Sequence, residues 1–414
     1  MKKYLVLLTF ISLVALISCS EPYALQTSNF EDALVVEATI TNEMKHQEIK
    51  ITKTYKLEEQ NPTIVIGADV IVTDNLGNTY SFEEQDGIYV STTEFQAQPN
   101  VDYKLKIFTN NGKSYSSTIE NLTTINTIES LTPTVVTKND GTRGIDMVVK
   151  SFDPTNTSKY YRYEYEETNK VTAPRWTTTK AIANYYPNQD PTPGYVSFET
   201  RTEEARICYV TKKSTDIILN STNELAEDRV EFPVRFIDKQ DYIIAERYSM
   251  LVKQYVQNFQ SYSYLKTLKE LSGSDNVLSQ NQPGFLYGNI QCDSNPNEKV
   301  VGYFNVSSVS TKRIFLNYSD VFPSEALPNY PFDCAAVSDS ITRRKFVFKF
   351  CFDPLDDAPC RGLTILSELS GNKKLYYEGE GTFNPLGILY PIQCGDCNTY
   401  SPNSSNIRPT FWID

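Results

Sequence analysis

Histidine is nearly missing from this chain: His46 is the only one among 414 residues. A multi-histidine metal centre is thereby excluded, and serine–histidine or cysteine–histidine catalysis would have to run through that one side chain. His46 falls in the turn-like segment Asn42-Glu43-Met44-Lys45-His46, where a solvated surface role is the plain reading. Positive charge is also in deficit. Lys and Arg number 39 against 51 Asp and Glu, a net of −12, so the basic stripe that a phosphate backbone requires is missing and nucleic acid is not expected as a partner. No phosphate-binding glycine loop is present, since Gly379 and Gly381 stand among acids that repel phosphate. Past residue 18 there is no repeat, no coiled coil and no apolar run long enough to span a bilayer as a helix. Nothing in the chain calls for a cofactor.

What is present begins at the N terminus. Lys2 and Lys3 precede an uncharged stretch, Tyr4 to Ile17, that is too short for a stable transmembrane helix and ends in Leu16-Ile17-Ser18-Cys19. That order is the signal of a bacterial lipoprotein: residues 1–18 are a cleaved signal peptide, and Cys19 becomes the acylated first residue of the mature chain. Several acyl chains, each worth about 0.8 kcal/mol per buried methylene, then anchor the protein without a transmembrane helix. Ser20 after Cys19, rather than a retaining aspartate, agrees with delivery to the outer membrane, and residues 19–30 form a polar tether. Removing the first 18 of 414 residues leaves 396, and losing Lys2 and Lys3 takes the net charge from −12 to −14. That length suits two or three domains.

Seven cysteines follow Cys19: Cys208, Cys292, Cys334, Cys351, Cys360, Cys394 and Cys397. Export makes disulfides their default state, and the odd count leaves at least one thiol free or paired elsewhere. Five of them lie after residue 330, which predicts a stapled C-terminal part. Cys394-Gly395-Asp396-Cys397 has the spacing of a redox or zinc motif, but no helix follows to lower a thiol pKa and no second pair completes a zinc site, so a structural role is expected.

Period-two alternation sets in at Ala33. Leu34–Ile40, Glu48–Tyr55 and Ala68–Thr73 read as half-buried strands, and Asn110-Asn111-Gly112 joins Tyr103–Phe108 to Ser114–Ile119 as a hairpin. About seven short strands predict an immunoglobulin-like sandwich over 31–125. A threonine-rich linker around 123–133 leads to a larger β-rich region, 126–414. There Tyr161, Tyr163 and Tyr165 share one strand face, while Arg162, Glu164 and Glu166 suggest a solvated opposite face. Phe259, Tyr262, Leu265, Leu268 and Leu271, joined by Tyr264, predict one amphipathic helix near 257–271 whose stripe packs on a sheet. Further strands are expected over 300–309, 313–317 and 345–352. The apolar ending Pro409-Thr410-Phe411-Trp412-Ile413 is expected to dock rather than dangle. The fold class is mainly β.

Two places could carry recognition or chemistry. The loop Tyr185-Tyr186-Pro187 through Pro193-Gly194-Tyr195 is aromatic and proline-constrained, which makes Tyr185, Tyr186 and Tyr195 candidate ligand contacts. Glu378 and Glu380 would lie on the same side of a strand, as a retaining glycosidase needs for carboxyls about 5 Å apart, although a solvated strand edge is the plainer reading of them. Asp353, Asp356 and Asp357 lack the regular oxygen spacing of a calcium loop. The excess of 28 tyrosines and 21 phenylalanines suits binding surfaces as well as sheet faces.

Several stretches taken together resemble the Bacteroidota lipoprotein family known as domain of unknown function 4249. They are Cys19-Ser20-Glu21-Pro22 with Leu34-Val35-Val36-Glu37, Gln282-Pro283-Gly284-Phe285-Leu286-Tyr287-Gly288-Asn289-Ile290, Val301-Gly302-Tyr303-Phe304-Asn305, and Cys394-Gly395-Asp396-Cys397 with Pro409-Thr410-Phe411-Trp412. The resemblance implies an outer-membrane lipoprotein that works beside a TonB-dependent transporter in nutrient uptake, and it brings no established activity. The expectation is therefore a non-enzymatic, lipid-anchored binding protein. A carboxylate hydrolase and an adhesive surface protein are the alternatives.

Overall fold

The computed structural model describes residues 33–55, 61–185, 194–272, 286–334, 369–371, 374–377 and 388–414. The chain opens with β1 (Leu34–Thr41), β2 (Glu48–Lys53), β3 (Asp69–Asp74), β4 (Thr79–Gln85), β5 (Ile88–Ser91), β6 (Asp102–Phe108), β7 (Ser114–Ser117) and the short β8 (Glu120–Asn121). Alternate residues turn inward, among them Val36, Ala38 and Ile40 on β1 and Tyr103, Leu105 and Ile107 on β6, so each strand has one face to bury. All eight lie in a single curved sheet. The expected immunoglobulin-like pair of facing sheets is not what forms: the alternation tells that one face is covered, and here the same sheet covers it by curling.

The chain then leaves this sheet. Thr123 and Thr124, expected in a linker, bind Ser308, and β9 (Ile128–Thr137) starts where the linker was expected to continue. β9, β10 (Arg143–Asp153) and a later β16 (Asp228–Asp238) make a three-stranded sheet in the order β16-β10-β9. Opposite it lies a sheet built on β11 (Tyr160–Thr172). A protruding hairpin, β12 (Thr179–Tyr185) and β13 (Gly194–Thr200), intervenes before β14 (Ile207–Lys213) and β15 (Ile218–Ser221), both of which pair with β11. β17 (Arg247–Gln257) pairs with the other edge of β11. Tyr161, Tyr163, Tyr248 and Met250 from this sheet pack on Ile145, Met147, Val149 and Val234 from the three-stranded one in a shared core. The sandwich thus sits in the second region, not the first.

Helix α1 (Phe259–Ser272) follows, as its spacing predicts. Tyr264 of the expected stripe is buried against Tyr303 and Tyr262 packs on Tyr160, while Phe259 is exposed, the leucines are half-buried and Ser261 is buried on Gln257, so the helix rests mainly on its tyrosines and not on the whole stripe. The chain now returns to the first sheet. β18 (Ile290–Cys292) pairs with β7, and β19 (Val300–Ser307) runs parallel to β1, Leu34 opposite Val300 through Thr41 opposite Ser307. The sheet order β18-β7-β6-β3-β4-β5-β2-β1-β19 curves until β18 and β19 touch, giving a barrel-like body around one hydrophobic core. Its closure depends on residues far beyond 125.

Gly302 shows why the family-like Val301-Gly302-Tyr303 run has no side chain at its centre. Its φ is +141°, and a Cβ there would stand 2.2 Å from the Val36 carbonyl oxygen; one on Gly288 would stand 1.5 Å from the Gly302 oxygen. Three backbone segments meet where no methyl group fits.

After Ser308 the chain enters the sandwich again as β20 (Val309–Asn317), paired with β17, and makes the one-turn α2 (Tyr318–Val321). β21 (Lys374–Tyr377) pairs with β22 (Ile388–Pro391), and β23 (Ser404–Ser405) extends β14. Between barrel and sandwich lies a buried polar seam. Gln257 bonds Ser307 and accepts from Asn305 and Ser261, while Glu120 accepts from Thr118, Asn289 and Asn258 at 2.7–2.9 Å. Such a seam fixes register because every mismatch strands a buried polar group.

Candidate functional site

The sandwich strands end, away from the barrel, at Lys170 on β11, Arg247 on β17 and Asn317 on β20. Around these ends the chain has placed its disulfides. Cys394 bridges Cys334 and Cys397 bridges Cys208 on β14, so the C-x-x-C pair reaches out in two directions, as a staple and not as a redox couple. Among the described residues Cys292 is the one free thiol, buried on β18. The docking expected for the terminus is seen in Trp412, buried between Tyr209 and Phe315, and in Phe411, whose ring carries the Arg313 guanidinium at 3.6 Å.

Near the staples Tyr330 and Tyr400 meet Tyr242, and Phe332 packs on Tyr330 and Tyr400, with ring centroids 5.0–6.2 Å apart. The four rings are half-buried. Burial pushes the Tyr400 hydroxyl up to about 12 and those of Tyr242 and Tyr330 higher still. All three stay protonated donors at any physiological pH, and Tyr330 donates to the Gln393 carbonyl at 2.7 Å.

On the other side of Glu246 opens a pocket of about 370 Å³, lined among others by Lys170, Glu246, Arg247, Phe322, Ser324, Glu325 and Leu327. Its charges are mixed and positioned. Glu246 accepts from the Thr172 amide and hydroxyl at 2.8 and 2.9 Å and holds Lys170 at 3.8 Å. Arg247 donates to Asn317 at 3.0 Å and to the Ile413 carbonyl. Glu325 receives both its bonds from Arg143 at 2.9 Å and also pairs with Lys239; these two cations hold its carboxyl below the usual range. Ser324 sits at φ +63°, a left-handed backbone that serine seldom adopts, on the wall of this pocket. Buried Phe322 and exposed Leu327 supply the apolar part. A small cavity with an apolar wall and fixed charges of both signs can hold a polar ligand in one orientation. His46 is elsewhere, in the barrel, with Nδ1 2.7 Å from the Ser91 carbonyl.

Of the residues singled out by sequence, Tyr185 and Tyr195 fall on β12 and β13, where Tyr185 opposes Gly194 and Asn184 opposes Tyr195. They flank the hairpin tip, at a distance in the fold from the pocket's strand ends. Cys19, Tyr186, Cys351, Cys360, Glu378, Glu380, Asp353, Asp356 and Asp357, together with the signal peptide, the tether and the strand expected over 345–352, lie outside the described residues. Arg162, expected on a solvated face, instead lies 4.2 Å over the Tyr255 ring and donates to Glu164 at 2.7 Å. Tyr242, Tyr330, Phe332 and Tyr400 were legible only as part of the tyrosine excess. Glu246 and Arg247 carried no signal at all.

The family model described as domain of unknown function (DUF4249) matches residues 20–313. The chain belongs to that family. The DUF4249 match spans the whole barrel and the sandwich into β20, and it includes Lys170, Glu246 and Arg247 of the pocket. Asn317 to Leu327 and three of the four bridged cysteines lie beyond it. No curated protein matches the chain.

Proposed function

We propose that this DUF4249 protein is a lipid-anchored binding subunit of the outer membrane that works beside a TonB-dependent transporter and performs no covalent chemistry of its own. The observation that carries the reading is the separation of two ends. The chain enters the barrel at Ala33, beside Leu34 and Val300, whereas the pocket lies at Asn317; the full lengths of β19 and β20 stand between them. An anchor at Cys19 therefore holds the barrel end and leaves the sandwich pocket free to meet a ligand or a neighbour. Confinement by acyl chains raises the effective concentration toward a membrane partner, so a modest interface suffices. The acidic body and the mixed-charge pocket suit a polar nutrient.

Affinity purification from the native host after gentle detergent extraction tests this. A transporter barrel at near-stoichiometric yield is expected. Recovery of the lipoprotein alone, with growth on every tested nutrient unchanged after gene deletion, would move the weight to an adhesive or hydrolytic role.

A further inference from the structure

The barrel end at which the chain enters carries an apolar rim that its own core does not use. Ile64, Ile66 and Phe108 are 45%, 63% and 44% exposed, and Tyr55 beside them 46%. Backbone and side-chain contacts hold them together. Thr52 bridges Ile64, the Val65 amide donates to the Ile51 carbonyl, Asn110 donates to the Ile66 carbonyl at 3.2 Å, and Phe108 lies in register with Asp69 at the start of β3. Ala33 is fixed at the same end. Its amide donates to the Thr54 hydroxyl at 3.0 Å and its carbonyl accepts from the Thr54 amide.

We infer that this rim rests on the lipid surface, a contact that presupposes the Cys19 anchor proposed above. Fourteen residues, 19–32, separate the acylated cysteine from Ala33, a reach of at most about 50 Å when extended. Within that reach the end of the barrel nearest the bilayer is the one bearing Ile64, Ile66 and Phe108. Seating them stabilises the contact by removing their apolar area from water. Charge does not favour the contact: Lys53, Lys113 and Lys299 at this end are matched by Asp69, Glu84, Asp86 and Glu298, with Lys113 and Glu298 paired at 2.7 Å. The seating is therefore apolar, independent of anionic lipid and insensitive to salt, unlike that of a polybasic surface. Leu76 is equally exposed, at 66%, but lies in the turn between β3 and β4 at the opposite end of the barrel.

The chain's two tryptophans, Trp176 and Trp412, both belong to the sandwich region, so a third one placed in the barrel is a clean reporter. Acylated Ile66→Trp protein is reconstituted into phosphatidylcholine vesicles with and without bromine-labelled acyl chains. The fluorescence it adds over wild type should be quenched several-fold by the brominated lipid and shifted to the blue, unchanged by salt, while that added by Leu76→Trp should not be. Phe108→Trp serves as a second reporter should the 61–68 loop fail to fold. No quenching at either rim position in vesicle-bound protein, or equal quenching at Leu76, overturns the seating and leaves the anchor standing. Protection of the rim reporter from acrylamide in the unacylated Cys19→Ala chain would mean that another segment of the chain covers the patch, and overturns it as well. If the wild-type chain carries no acyl groups and fails to float with vesicles, the anchor itself is wrong.

Discussion

The barrel and the sandwich are built from strands of the same period-two type and both bury tyrosines among aliphatic side chains, yet they satisfy the buried hydroxyls differently. In the barrel, among Val36, Ile40, Ile51, Val72, Leu105 and Ile107, the Tyr89 hydroxyl donates to the Val65 carbonyl at 2.8 Å and accepts from the Ala68 amide at 3.0 Å, and the Tyr103 hydroxyl accepts from the Gln98 amide at 2.9 Å, so backbone groups serve both. At the centre of the sandwich are Tyr161, Tyr163 and Tyr248, fully buried, with Asp228, Gln254 and Asn126 among them. There the Tyr161 hydroxyl donates to Asp228 at 2.7 Å and accepts from Asn126 at 2.8 Å, Tyr163 donates to Gln254 at 3.2 Å, and Tyr248 donates to Glu167 at 2.9 Å. Burial raises all three hydroxyls well above their ordinary pKa and keeps them donors. A hydroxyl that bonds backbone is satisfied by the path of the chain, whereas one that bonds a buried side chain also requires that partner, so each member of the sandwich network fixes the next. The two fully buried barrel tyrosines lean on main chain, while the core of the body that carries the pocket is specified side chain by side chain.

Truncation should hurt the barrel most. Phe304→Ala empties a site at 0% exposure and should cost about 3–5 kcal/mol in urea unfolding. A loss under 1 kcal/mol would mean that the barrel collapses around the gap and is not close-packed. Next in size is the staple that ties β14 to the C-terminal segment. Replacing Cys208 and Cys397 by alanine opens a link 189 residues apart and should cost about 2–5 kcal/mol. Hydrogen exchange should show the loosening in the segments around Tyr330 and Tyr400, with the barrel strands β1 and β6 unchanged; equal loosening of β1 would erase the distinction between the two regions. Tyr161→Phe removes one oxygen and leaves Asn126 and Asp228 short of a partner, for an expected loss of about 1–3 kcal/mol. A neutral result would show that side-chain partners matter no more in the sandwich than in the barrel.

The smallest effect concerns acid. Asp153, on the loop-side end of β10, accepts from the Thr155 amide and hydroxyl and from the Thr157 and Ser158 amides at 2.6–3.0 Å. Burial pushes its carboxyl up, but these bonds outweigh burial and hold it well below the ordinary range. A depressed folded pKa stabilises fully above the unfolded value near about 3.9 and is lost as pH falls through the folded value. Asp153→Asn should therefore be less stable at neutral pH and should lose less on acidification below about pH 4. Parallel melting curves for the two proteins would refute this.

Much of the barrel was readable because strand alternation is local: β1, β2, β3 and the β6–β7 hairpin stand where Leu34, Glu48, Ala68 and Asn110-Asn111-Gly112 put them. Its closure was not readable, since Leu34 pairs with Val300 across most of the chain and no local pattern records a partner. For the same reason the alternation over 31–125 was compatible with a sandwich as well as with a curled sheet. The helix at 259–272 was legible from spacing, and Tyr264 of its stripe is buried against Tyr303, but the bond of Ser261 to Gln257 was not legible because its partner belongs to the seam that only the fold assembles. In the candidate site, Cys394 and Cys397 were legible as staples, while their partners Cys334 and Cys208 required the fold. Tyr242, Tyr330 and Tyr400 come from three separate segments and meet beside those staples, a juxtaposition that no local pattern records.

The claim on which the account turns is the anchor at one end of the molecule. Mass spectrometry of the mature protein, extracted from washed membranes of the native host, addresses it directly. A chain that begins at Cys19 and carries diacylglycerol on its sulfur and a further acyl group on its amine is the expected result, with Cys19→Ala found in the soluble fraction. A mature chain beginning elsewhere, or a Cys19→Ala protein that stays with membranes through high-salt and carbonate washing, would contradict it.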